Sequence, residues 1–339
     1  MNNPSYDHSE GPRVAVIGAG YWGINHVRNF SELGCLSSVS DNSEQALLRV
    51  RERFPEVRAE AGYSNLLADP EIRGVVIATP AESHFRIALE AIEAGKDVLV
   101  EKPLTLDVKE GERLVALAER RGAVLMVGHL LEFHPAIIRL RELIESGALG
   151  QVRYIYSSRL NLGKVRREEN ILWSFAPHDI AIILRLVGDW PTSVAATGGT
   201  YLQPQIADVT VTHMVFPSGV RAHIFVSWLH PYKEQRLVVV GSKRMAVFDD
   251  VNRENKLQVY DQGVEMVNGE LVARKNAGVP EPLEAAEPLR RQCVHFLACM
   301  RGRLTPLTDG RSGLRVLRVL EAAEKSLSGT GTPVPLNEG

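Results

Sequence analysis

Cysteine is scarce in this chain: Cys35, Cys293 and Cys299 are all it has in 339 residues. Three is an odd number and their spacing matches no metal motif. They therefore read as reduced thiols of a cytoplasmic protein, with no disulfide framework, no metal site and no good nucleophile among them. No apolar run approaches the roughly 20 residues of a membrane span. Neither sign of charge dominates: the net charge of −2 gives no broad attraction to nucleic acid or to an anionic membrane. Residues 1–10 have neither a basic start nor an apolar stretch, so they read as a disordered tail rather than a signal peptide. Internal repeats and low-complexity stretches are lacking too. What remains is ordinary for a globular protein, 45% hydrophobic and 24% charged, and long enough for two domains with separate cores.

The chain is organised around residues 13–41. Residues 14–17 (VAVI) form an apolar run of the kind that makes a buried parallel strand. It enters Gly18, Gly20 and Gly23, spaced G-x-G-x-x-G with Tyr21 and Trp22 between, and then a helical stretch. The first glycine permits the tight turn, the second the approach of a pyrophosphate, and the third the packing of helix on strand. The free N–H groups at the helix start suit an anion. A second strand, 36–40, ends at Asp41, about twenty residues beyond the glycines, where a carboxylate takes the adenosine ribose hydroxyls. With no basic residue beside it, Asp41 would repel a 2′-phosphate, which predicts NAD rather than NADP.

Strand and helix signals then alternate. Strands are expected at 58–59, 74–79, 97–100 and 123–127, and helices at 44–53, 83–94 and 107–121, which together predict a doubly wound parallel sheet. After residue 128 the pattern changes. A helix over 135–146 precedes longer, alternating strands at 152–160, 208–216 and 220–228, the last two joined by a hairpin signal at 217–219. Strands at 235–240, 245–249 and 256–260 continue the meander, and helices are expected at 177–187, 288–300 and 309–327. Residues 262–287, polar and rich in Pro and Glu, read as an exposed connection. The expected fold is α/β: a Rossmann dinucleotide-binding domain over 11–130, then an α+β domain with a large, mainly antiparallel sheet over 131–332.

Ligands of an open parallel sheet bind beyond the carboxyl ends of its strands. One strand ends at Thr79-Pro80, with His84 five residues after Thr79, and the next at Glu101-Lys102-Pro103. A charged Glu-Lys pair after an apolar strand points to proton transfer beside the cofactor, with Lys102 the first candidate and His84 the second. The other constellation is residues 159–179, which gather Arg159, Asn161, Lys164, Arg166, Arg167, Asn170, Trp173, His178 and Asp179 in one loop before a helix. Long loops of such composition are more often functional than structural. His178 is placed at the helix N-terminus, where the neutral imidazole is favoured. Trp173 and Phe175 read equally as core anchors, and Asp179 as a helix cap.

Gly18, Gly20, Gly23, Asp41, Thr79-Pro80, Glu101-Lys102-Pro103 and the His178 loop together resemble the Gfo/Idh/MocA family of sugar oxidoreductases, along nearly the whole chain after the tail. The resemblance implies that Lys102 handles the proton of the reacting hydroxyl and that His178 assists. It implies that Glu101, Thr79, Pro80 and Ala81 border the cofactor, with Tyr21, Trp22 and His84 in the same group. It also implies a second-domain sheet whose outer face builds a homodimer or homotetramer. The family's polyol dehydrogenases carry an Asp four residues before the histidine, and Ser174 stands there instead. The string 172–179 (LWSFAPHD), with Arg166, Arg167, Glu169 and Asn170 ahead of it, resembles a subgroup acting on nucleotide sugars. Those members oxidise the C3 hydroxyl of UDP-N-acetylglucosamine, or of its uronic acid, ahead of a transaminase. A UDP-sugar needs cations for its pyrophosphate, which Arg159, Lys164, Arg166 and Arg167 offer, and Trp173 could line the sugar pocket. Two other readings are a reductase of a different sugar and a regulator that senses NAD without turnover.

Overall fold

The computed structural model describes residues 11–337 except Lys164 and Glu168. The expected tail and one of the expected cations, Lys164, lie outside the described residues. The chain forms two compact units: one holds the chain up to Leu130 together with Glu287–Leu317, the other Leu131–Ala286 together with the chain from Arg318.

The first unit runs β1 (Arg13–Ile17), α1 (Gly23–Glu32), β2 (Leu36–Ser40), α2 (Glu44–Arg53), β3 (Arg58–Glu60), α3 (Ser64–Ala68), β4 (Ile72–Ile77), α4 (His84–Glu93), β5 (Asp97–Val100), α5 (Val108–Arg121) and β6 (Leu125–Val127). The six strands pair in parallel in the order β3-β2-β1-β4-β5-β6, the doubly wound arrangement the alternation predicts. Val14, Ala15, Val16, Val75, Val76 and Leu99 are wholly buried. That is why these strands read as unbroken apolar runs rather than alternating ones.

The second unit runs α6 (Pro135–Glu145), β7 (Val152–Leu160), α7 (Ile171–Val187), β8 (Ser193–Gly199), β9 (Val209–Val215), β10 (Arg221–Ser227), β11 (Glu234–Gly241), β12 (Arg244–Asp249), β13 (Leu257–Val267), β14 (Glu270–Lys275) and β15 (Val279–Pro280). After α8 (Pro288–Gly302) and α9 (Gly310–Ser328), β16 (Val334–Pro335) closes the chain. The sheet order is β14-β13-β12-β11-β7-β10-β9-β8-β16 with β15 beside β13. It is mainly antiparallel, β7 and β10 being parallel. Along β10 the buried Ala222, Ile224 and Val226 alternate with the half-buried His223 and Phe225, so one face is packed, by α7.

Three expectations are corrected. Residues 287–317, expected in the second domain, belong to the first unit. Cys293, Phe296 and Leu297 of α8 are wholly buried. The Met300 side chain fills the space where a Cβ at Gly74 would stand, and the Thr308 hydroxyl donates to the Val127 carbonyl at 2.7 Å. Residues 262–275 are not a connection but the end of β13 and all of β14. The turn between them is Asn268-Gly269, both at positive φ (53° and 85°), the preferred pair for a two-residue hairpin. Val264 and Met266 are both 65% exposed, and a strand with no buried face leaves no alternation to read. Third, α7 begins six residues before Pro177. Asn170 is its cap, its side chain accepting from the Trp173 N–H at 3.3 Å. Pro177 therefore lies inside the helix, His178 sits in its body and Asp179 caps nothing. The lost hydrogen bond at Pro177 is offset by the apolar first turn, where Ile171 and Leu172 are wholly buried.

Candidate active site

The glycine turn sits between β1 and α1. Gly18 has φ +94°, and a Cβ there would lie 2.7 Å from the Ala78 carbonyl. A Cβ on Gly23 would stand 1.9 Å from the Gly18 oxygen. Both glycines are thus demanded by the protein's own packing. Gly20 is different: its Cβ would meet nothing within 4 Å, so its bareness leaves the backbone open from outside. Asp41, at the end of β2, accepts from the Ala19 N–H and the Ser43 N–H, each at 2.7 Å. Its carboxylate is half-buried and fixed beside the turn. Tyr21 is 95% exposed.

At the end of β4 the Ser83 hydroxyl donates to the Pro80 carbonyl at 2.7 Å, so Thr79 Oγ1 donates to Ser83 Oγ, also at 2.7 Å. His84 is buried. Its Nδ1 lies 2.8 Å from the Pro103 carbonyl oxygen and its Nε2 3.0 Å from that of Thr79. Burial lowers its pKa against the pull of those two carbonyls. His84 braces the end of β4 to the loop after β5, and its ring nitrogens are committed to backbone.

That loop carries Glu101, Lys102 and Pro103. Lys102 is half-buried, and the Lys102–Pro103 peptide bond is cis. Glu101 Oε1 accepts from Trp22 Nε1 at 2.8 Å and lies 2.7 Å from His26 Nε2, while Oε2 lies 3.3 Å from the Lys102 backbone nitrogen. Burial pushes this carboxyl up in pKa, but the bond and charge of His26, the Trp22 bond and the Lys102 charge outweigh it, so it is held below the usual range. A Cβ on Gly128 would stand 2.7 Å from Oε2, so that glycine makes room for the carboxylate.

In the second unit Arg159 of β7 and Asp179 of α7 form a bidentate pair, Nε to Oδ2 at 2.7 Å and Nη2 to Oδ1 at 3.1 Å. Their side chains are 12% and 2% exposed. One edge of the Arg159 guanidinium is thereby committed to Asp179, and burial's downward push on its pKa is outweighed by that carboxylate. Glu324 of α9 accepts from Asn170 Nδ2 at 2.8 Å and from Trp173 Nε1 at 3.1 Å, which pins the start of α7. Trp173 is half-buried, with an anchored indole. His178 is half-buried on the same helix. Arg166 pairs with Glu169 at 3.0 Å, and its carbonyl accepts from Gln203 at 2.8 Å. The Asn161 N–H donates to the Ser227 carbonyl at 3.1 Å.

Sequence reading missed His26, Gly128, Cys293 and Glu324. A signal for His26 exists: Trp22 at the cap of α1 and His26 and Phe30 within it recur every four residues, with ring centroids 6.5 and 6.3 Å apart. For Glu324, 151 residues from Trp173, there is none.

Comparison with known proteins agrees with this construction. Residues 12–129 match the oxidoreductase family with an NAD-binding Rossmann fold, Gfo/Idh/MocA, and residues 137–247 match the Gfo/Idh/MocA C-terminal domain. The chain is similar to UDP-N-acetylglucosamine 3-dehydrogenase of Acidithiobacillus ferrooxidans, 30% identical over 90% of this chain and 94% of that one. A solved structure of that enzyme superposes with a TM-score of 0.81 at 28% identity, covering 94% of this chain and 98% of the other. The scyllo-inositol 2-dehydrogenase (NAD(+)) of Bacillus subtilis is 27% identical over 96% of both chains. The glycine turn with its anchored Asp41, the Glu-Lys-Pro loop after β5, the mainly antiparallel second sheet and these matches lead to one conclusion: the chain belongs to the Gfo/Idh/MocA family of NAD-binding oxidoreductases.

Proposed function

We propose that this dehydrogenase oxidises the C3 hydroxyl of UDP-N-acetylglucosamine to the 3-keto sugar with NAD as hydride acceptor, ahead of a transaminase that installs a 3-amino group. The observation that carries the reading is the 30% identity over 90% of the chain to an enzyme named for that reaction. Ser174 supports it against a polyol substrate, since the family's polyol dehydrogenases carry an Asp at that place.

The residues present fit NAD. Gly20 leaves backbone open to a pyrophosphate, and Asp41 is held rigidly by two amides where a ribose diol would bind. Bound NAD supplies nicotinamide C4, which takes the hydride. Lys102 Nζ, in its neutral form, accepts the hydroxyl proton as the C3–H bond breaks and the C–O bond becomes a carbonyl; His178 assists. Arg166 and Arg167 offer charge for the pyrophosphate. The half-buried outer face of the second sheet suits a homodimer or homotetramer, and the protein works in the cytoplasm.

The test is NADH formation from NAD+ with UDP-N-acetylglucosamine, its uronic acid, UDP-glucose or inositol. An aminotransferase with glutamate is present to remove the ketone. Turnover of UDP-N-acetylglucosamine alone is expected. Turnover of only the uronic acid or only inositol would replace the substrate assignment. Lys102→Ala should lower kcat at least a hundredfold with NAD binding retained, and turnover near wild type would remove the lysine from the reaction.

A further inference from the structure

Glu101 is a buried carboxylate built into the fold with unusual completeness. It is 9% exposed, follows the interior strand β5, and takes two donors on one oxygen, from Trp22 at the cap of α1 and from His26 within it. Ionised, it can only accept, so His26 must donate from Nε2. His26 Nδ1 lies 3.9 Å from the Cys293 Sγ of α8. The thiol stays protonated, because burial pushes its pKa well above the ordinary value. These contacts converge on the one carboxylate adjacent in sequence to Lys102.

The groups that face Glu101 come from five elements: His26 on α1, His84 on α4, Lys102 on its own loop, His129 after β6 and Cys293 on α8. Burial drops the His129 pKa to about 4, so that ring is neutral near pH 7. A buried negative charge that keeps its ionisation through dedicated donors is costly to desolvate. Packing alone does not explain it, since an apolar side chain would fill the site at no such cost.

We propose that Glu101, oriented by Trp22 and His26 and seated against Gly128, is a positioning residue for the proton acceptor: a fixed negative charge that stabilises the ammonium formed at Lys102 as the hydroxyl proton arrives. The inference rests on the role assigned to Lys102 above. Stabilising charge where it develops is the largest lever open to a rigid site. The Lys102 backbone N–H facing Oε2 ties the same carboxylate to the position of that residue.

The test compares Glu101→Gln, His26→Leu and His26→Gln in the full chain, with two readouts. The first needs no substrate: reductive methylation with 13C-formaldehyde and NMR titration of the Lys102 resonance, assigned by its loss in Lys102→Arg. Glu101→Gln is expected to move the midpoint down by about 1–3 pH units, the range for loss of an opposite charge close by. His26→Leu is expected to move it likewise, because a buried carboxylate that loses one of the two donors on Oε1 is pushed toward its protonated form. His26→Gln, which keeps an N–H donor, should hold the wild-type midpoint. The second readout is the pH profile of kcat/KM. Its acid limb should shift down with the NMR midpoint, and its plateau should fall ten- to a hundredfold in Glu101→Gln and His26→Leu but not in His26→Gln. An unmoved NMR midpoint in Glu101→Gln overturns the proposal, as does an equal loss of rate in all three variants with the limb in place. If none of the sugars is oxidised, the substrate assignment fails while the NMR titration still decides the role of Glu101.

Discussion

Replacing Arg159 by Met separates two uses of an arginine that sequence alone offers to a substrate phosphate. Asp179 is 2% exposed and takes both of its bonds from Arg159. Met fills much of the same volume but leaves a buried carboxylate without its partner. Removing one member of such a pair costs about 3–5 kcal/mol, against about 0–1 for an exposed pair. For a unit of this size, each kcal/mol is about 2–4 °C in Tm. The single variant should therefore lower the second unit's Tm by on the order of 10 °C. Arg159→Met with Asp179→Leu should recover most of that loss, because the uncompensated charge is gone and an apolar pair packs in its place. The assay is differential scanning calorimetry of wild type, both single variants and the double variant at pH 7.5. A fall of less than about 1 kcal/mol in Arg159→Met, or a double variant no better than the worse single one, would refute the ion pair as the main role of Arg159.

Three other perturbations have defined outcomes. Gly23→Ala should unfold or badly destabilise the first unit, since its Cβ meets the Gly18 oxygen at 1.9 Å, whereas Gly20→Ala should melt like wild type and lose affinity for NADH by fluorescence titration; equal melting of the two would contradict the packing argument. Asp41→Ala should raise the KM for NAD and weaken discrimination against NADP, and an unchanged cofactor preference would show that the ribose partner lies elsewhere. Burial pushes the Asp208 carboxyl up, but the Tyr201 and Leu202 N–H groups and the Trp228 indole outweigh burial and hold its pKa below the usual range. Its stabilising contribution is therefore complete above the ordinary carboxylate range and is lost as pH falls through the depressed value, so Asp208→Asn should flatten the acid limb of a Tm-against-pH curve; a curve parallel to wild type would count against it.

Much of the first unit and its site is written locally. The β1 run, the three glycines, Asp41 and the strand ends at Thr79 and Glu101 are short-range signals: burial on both faces demands apolar runs, and a turn at φ +94° demands glycine at residue 18. The alternation along β9 and β10 is equally local, because one face is packed and the other is not.

What tertiary structure alone decided are the pairings between distant segments. Nothing near residue 177 announces that Asn170, tied to Glu324, starts the helix early enough to swallow a proline. Composition hides the β13–β14 hairpin, where Val264, Met266, Leu271 and Val272 are all exposed, although Asn268-Gly269 marks its turn. The return of 287–317 to the first unit depends on Met300 finding the bare backbone of Gly74. The same holds at the chemistry. Sequence singles out Glu101 and Lys102 as a pair, yet only the folded chain brings Trp22, His26 and Gly128 around the carboxylate and spends Arg159 on Asp179. Local rules settle which backbone shape a segment prefers; which buried charge meets which donor is settled only by the close packing of elements far apart in the chain.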